Sequence, residues 1–151
     1  SCEQSVEETL AEIETNALST ISLLTLIANR FEVKQEGTIA IISSVAGDRG
    51  RASNYVYGSA KAMITAFSSG LRQRLHSSNV AVVTIKPGFV DTPMTAKFKK
   101  GPLWATPEYV AKKIVRAIDS KSSEVYVPAL WWTVMAVIKA IPNSVFRRIS
   151  L

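Results

Sequence analysis

The chain has 151 residues, 47% apolar and 20% charged, which excludes a disordered polymer and suits one globular unit with a real core. A single cysteine, Cys2, excludes an internal disulfide framework and fits a reducing compartment. The net charge of +6 is uneven: residues 1–30 hold five glutamates against Arg30, while residues 97–151 hold ten Lys and Arg against Glu108, Asp119 and Glu124. Those cations lack the aromatic interleaving used on nucleic acids, so no nucleic-acid partner is expected. The opening Ser1-Cys2-Glu3-Gln4 has neither the basic nor the apolar region of a secretory signal, and no apolar run reaches the ~20 residues of a membrane span. The expected location is cytoplasmic. With no initiator methionine, the chain is expected to begin inside a longer protein.

Ser5-Val6-Glu7-Glu8 is a capping box. Apolar residues then recur from Leu10 through Ile13, Ala17, Ile21, Leu24 and Ala28 to Phe31, which predicts one helix over about 5–33. Asn16 is its polar exception. Thr38-Ile39-Ala40-Ile41-Ile42, bounded by Gly37 and Gly47, predicts a strand buried on both faces, with Ser44 at its carboxyl end, where open α/β sheets bind ligands. Arg49 and Arg51 fall in a loop, where a solvated face is expected and an anionic substrate group is the other reading. Ser53 to His76 is a loop and then a helix. Tyr57 and Lys61, four apart, share one of its faces, where an ammonium near a phenol is expected to lower the phenol's pKa. His76, the one histidine, sits at the helix's end, where the dipole favours a cation; no metal site is expected.

Val80 to Ile85 predicts a second buried strand, turned by Lys86-Pro87-Gly88. Thr95 to Trp104 is expected to be a mobile lid. Thr106-Pro107-Glu108 starts a helix that ends near Ser120, and Glu124 to Val127 forms a strand stopped by Pro128. Ala129 to Ile138 is apolar all round, followed by Ile141-Pro142 and Val145-Phe146-Arg147-Arg148-Ile149. Paired tryptophans and an arginine pair suit either packing over the substrate pocket or contact with a membrane surface.

Asn16, Ser44, Tyr57 and Lys61, in that order, followed by Pro87-Gly88-Phe89-Val90-Asp91-Thr92, resemble the short-chain dehydrogenase/reductase family from about Glu8 to Pro128. The resemblance implies a Rossmann-like α/β fold with a doubly wound parallel sheet, here its second half only. It also implies catalytic roles for Asn16, Ser44, Tyr57 and Lys61: Tyr57 as general acid/base, Lys61 tuning it and binding ribose, Ser44 orienting a carbonyl, and Asn16 completing a proton relay. Tyr57, Lys61, Pro87, Gly88, Val90 and Thr92 are the implied binding residues for NADP or NAD. The family's Gly-rich phosphate turn has no counterpart in this sequence, so the choice between the two cofactors has no reading here.

The expected division is residues 1–128 as the C-terminal part of the reductase domain and 129–151 as an apolar tail. The tail's order of motifs is similar to that of family members acting on lipid-linked sugars, the decaprenylphosphoryl-2-keto-ribose reductases. The expected activity is hydride transfer between a nicotinamide and a carbonyl or alcohol substrate, lipid-linked or otherwise bulky and apolar. The partners expected are that substrate, a second copy of the chain, and a membrane surface touched through 129–151. An NAD-dependent epimerase or dehydratase, and a non-catalytic binding fragment, are the alternatives.

Overall fold

The computed structural model describes residues 2–96 and 98–149. The Ser5 hydroxyl accepts from the Glu8 amide at 3.3 Å and starts α1 (Val6–Ile13). The expected single helix is a continuous rod in three parts: α1, a π-helical turn at Glu14–Leu18, and α2 (Ser19–Lys34). In the turn the Ser19 amide reaches back five residues to the Glu14 carbonyl. A 3.6-residue apolar period does not register one inserted residue, so the rod reads as uniform in sequence. By length and composition alone Val6–Lys34 is long and apolar enough to cross a membrane, which corrects the expectation that no segment is. Its buried residues Ala17, Leu24 and Ala28 pack into the core.

β1 (Gly37–Ile42), β2 (Val80–Pro87) and β5 (Glu124–Val127) form a parallel sheet in the order β1-β2-β5. Ile39 pairs with Val82 and Ile85 with Val125. Successive side chains along a strand alternate faces. Val80 and Val82 therefore join Ile39 and Ile41 beneath α2 and α3 (Tyr55–Leu75), while Val83 and Ile85 face α4 (Pro107–Asp119) on the other side. This is the expected α/β layering, with helices on both faces. Arg72 of α3 ties it together, donating to the Val82 carbonyl at 2.9 Å and to Thr84 Oγ1 and the Ser123 carbonyl at 2.6 Å each.

A second, two-stranded parallel sheet pairs β3 (Phe89–Val90) with β4 (Trp104–Ala105). It is absent from the expected order because two residues carry no periodic signal. The tail folds as α5 (Leu130–Ala140) and α6 (Asn143–Phe146). Trp131 and Met135 of α5 close a third apolar cluster with Val45 and Tyr126.

Candidate functional site

The site forms where β1 and β2 end. Ser43 prolongs the β1–β2 ladder by one bond, its amide donating to the Ile85 carbonyl at 2.8 Å, and this delivers Ser44 just beyond the strand. Ser44 Oγ accepts from the Ala46 amide at 3.1 Å and opens a 3-10 turn at Val45–Asp48. That turn rests directly on α3. A Cβ on Gly47 would stand 2.7 Å from the Lys61 and Ala62 backbone, and one on Gly58 would stand 2.9 Å from the Ala46 carbonyl. Two glycines thus let loop and helix touch backbone to backbone, which sets Ser44 beside Tyr57.

Ser44, Tyr57, Lys61, Pro87, Gly88, Val90 and Thr92 all line one cavity of about 340 Å³. Asn16 is not among its lining residues. It lies on the π-helical turn, and its amide donates within the helix, to Glu12 Oε1 at 2.9 Å and to the Glu12 carbonyl at 3.3 Å. The Lys61 ammonium stands over the Tyr57 ring, 5.5 Å from its centroid. Burial pushes the Tyr57 pKa up, the hydrogen bond with Ser44 pulls it down, and the charge of Glu12 pushes it up again, for a net rise. The expected lowering is therefore reversed, because desolvation of the phenolate, with the charge of Glu12, outweighs the bond with Ser44. Burial lowers the Lys61 pKa, with Glu12 opposing.

Behind the serine turn lies a buried ionic cluster with no forecast from the sequence. Lys86 Nζ donates to Asp48 Oδ1 at 2.8 Å, Glu124 Oε1 at 3.0 Å and Tyr126 Oη at 3.4 Å, and Tyr126 Oη donates to Asp48 Oδ2 at 2.7 Å. Lys86 is 4% exposed. Burial alone would lower its pKa, yet the bonds to Asp48 and Glu124 win and push it up to about 12.

Arg49 is not a solvated loop residue. It donates to the carbonyls of Ile138, Lys139 and Ile141 and to Asn143 Oδ1, and its guanidinium lies 3.8 Å from the Phe146 ring centroid. The carbonyls left unpaired at the C-terminus of α5 are thus capped by a side chain from the serine turn. On the far wall, the Trp131 indole fills the place of a Cβ at Gly88, only 1.9 Å from where that atom would sit. Gly88 is among the expected cofactor-binding residues, and the tail's own tryptophan requires a glycine there. Trp131 Nε1 donates to the Leu103 carbonyl at 3.3 Å, and Phe89 stacks on Trp104 and meets Trp131 edge to face, both centroid distances being 5.4 Å. Thr92 caps the 3-10 turn Pro93–Thr95, its amide donating to Thr95 Oγ1 at 3.1 Å.

The short chain dehydrogenase family model matches residues 2–102. An uncharacterized oxidoreductase of Mycobacterium tuberculosis is 37% identical, the alignment covering 92% of this chain and 56% of that protein. A ketoacyl reductase of Nostoc is 34% identical, over 91% of this chain and 53% of its own length. The chain thus spans about half the length of these relatives. A short chain dehydrogenase from Burkholderia cenocepacia, solved in complex with NADP, superposes with a TM-score of 0.83 at 20% identity, over 95% of this chain and 60% of that one. One from Sphingobium yanoikuyae, in complex with NADPH, gives 0.73 at 22% identity, over 93% of this chain and 60% of that one. At such identities the likeness is one of fold, the expected Rossmann-like α/β arrangement.

Proposed function

The chain belongs to the short-chain dehydrogenase/reductase family, and on that premise we propose that the whole protein interconverts a carbonyl and an alcohol, with Tyr57 as general acid/base. The observation that carries the proposal is the convergence of Ser44, Tyr57, Lys61 and the Pro87–Thr92 turn on one cavity. Its donor set of phenol, ammonium and hydroxyl fits the nicotinamide and ribose end of NAD or NADP. Tyr57, Lys61, Pro87, Gly88, Val90 and Thr92 are the residues to hold that end, and the nicotinamide supplies or accepts the hydride.

The chain's own residues handle the oxygen and its proton. Ser44 Oγ holds the substrate oxygen, and Tyr57 Oη gives it a proton as the carbonyl carbon gains hydride. The Lys61 ammonium then steadies the phenolate left behind. The raised Tyr57 pKa favours the phenol, the form that gives the proton when the carbonyl is reduced. Asn16 lies one helical turn from Glu12, whose charge acts on both Tyr57 and Lys61, and this supports a place for the pair in delivering protons to the lysine. Phe89, Met94, Phe98 and Trp131 in the cavity's lining support a substrate with a bulky apolar part.

Tyr57→Phe in the whole protein should cut turnover by about 10²- to 10⁴-fold and leave cofactor affinity nearly unchanged. Near wild-type turnover by that variant would remove Tyr57 from the role.

A further inference from the structure

Arg49 and Arg51 lie two residues apart and have opposite fates. Arg49 is consumed by the tail, as described above. Arg51 lines the cavity that holds Ser44 and Tyr57, and its Nε is buried without a hydrogen-bond partner. Three residues on, Asn54 Oδ1 is in the same condition, and these two atoms are the unpaired buried side-chain polar atoms among the described residues. Three residues further comes Tyr57, on the same cavity.

Asn54 occupies the N-cap position of α3, where an asparagine ordinarily accepts from the first turn's amides. Its side chain makes no such bond. A buried donor and a buried acceptor left unmet have given up water without a replacement, so such groups call for an explanation. The cavity's lining includes two cations, Arg51 and Lys61, and no carboxylate. On its outer side Arg51 borders Phe146, Arg147 and Ile149, and residues 125–151 contain no Asp or Glu. No acid of the tail is there to neutralise it.

We propose that Arg51 binds an oxyanion of the substrate, a carboxylate or a phosphate, beside the carbonyl held by Ser44 and Tyr57, and that Asn54 Oδ1 accepts from a substrate hydroxyl next to it. The proposal deepens the reductase reading and rests on it for the carbonyl's place. Guanidinium suits the task because it pairs with two oxygens of a carboxylate or phosphate at once. With Phe89, Met94, Phe98 and Trp131 also in the lining, the substrate is a carbonyl compound that carries an anionic or hydroxylated group and an apolar part.

The test is calorimetric titration of the cofactor-loaded whole protein with phenylacetate, phenyl phosphate and benzyl alcohol at low salt. One or both anions should bind at least about tenfold more tightly than the alcohol, and the tighter one identifies the oxyanion. Arg51→Gln should abolish that preference and Arg51→Lys should keep part of it. Asn54→Asp adds a carboxylate to the same cavity and should weaken anion binding about tenfold, an independent variant should the first fold poorly. Equal binding of all three compounds by the unaltered protein, or an unchanged preference in folded Arg51→Gln or Asn54→Asp, overturns the proposal. Tyr57→Phe should keep the binding preference while losing turnover. An active Tyr57→Phe therefore refutes the reaction, and a lost preference refutes the subsite.

Discussion

The two flanks of the sheet are finished in opposite ways. On the β5 side the chain covers itself, and polar anchors lock the cover down: Arg49 on the end of α5, the Lys86 cluster under the serine turn, and the Trp131 indole against Gly88. On the β1 side, α2 and the strand leave a cleft of about 480 Å³, lined by Leu23, Leu24, Ile27 and Phe31 among others, and no such anchor crosses it. Leu23, Leu26 and Ile42 are 59%, 64% and 48% exposed. An apolar surface pinned by polar groups behaves as the inside of a molecule. One left bare, beside an unpaired strand edge, is a surface built to be covered. The difference marks the tail as part of the folded unit and leaves the α2–β1 face apolar and exposed.

The comparison breaks most readily at Lys86. Lys86→Met leaves Asp48 buried without its cation and should cost about 3–5 kcal/mol, read from urea unfolding. Because the Lys86 pKa in the fold, about 12, exceeds its ordinary 10.5, its stabilisation is full below about pH 10.5 and is lost as pH rises through about 12. A melt whose midpoint stays level through that window would deny the cluster its place.

Next in size is Arg49→Ala, which uncaps α5 and should cost about 2–3 kcal/mol, with tail cleavage by protease and a red-shifted tryptophan emission as its local signs. A tail equally protected in the variant would mean that the apolar cluster alone holds it.

Leu26→Glu sharpens the contrast from the other side. Stability should move by less than about 0.5 kcal/mol, because the residue is exposed, while light scattering should report weaker self-association. A large loss of stability with no change in association would make this face interior after all.

What was legible in the sequence was local. Runs of β-branched residues marked β1 and β2, apolar spacing marked the helices, and Ser44, Tyr57, Lys61 and the Pro87–Thr92 turn stood out by their resemblance to the family's ordered residues and share a cavity. What stayed hidden depends on partners far along the chain. Arg49 meets carbonyls some 90 residues away, and Lys86 meets Asp48 and Glu124, each 38 residues off. A lysine closing a buried strand was the one local hint, since such a charge needs a partner. The direction of the Tyr57 shift was equally out of reach, because burial is a property of the assembled walls and not of a four-residue spacing.

The two close backbone approaches, Gly47 on Lys61 and Ala62 and Gly58 on Ala46, divide the site into a part that mutation can tune and a part that it cannot. Between Ser44 and Tyr57 the serine turn and α3 meet main chain on main chain, so no side chain there can be exchanged for a longer or shorter one to adjust their separation. Any substitution at either glycine wedges the two apart. Variation among descendants of this chain is therefore channelled to the remaining lining, to the apolar Phe89, Met94, Phe98 and Trp131 and the polar Arg51 and Asn54. A library aimed at new substrates belongs at those six positions, with the glycines held fixed.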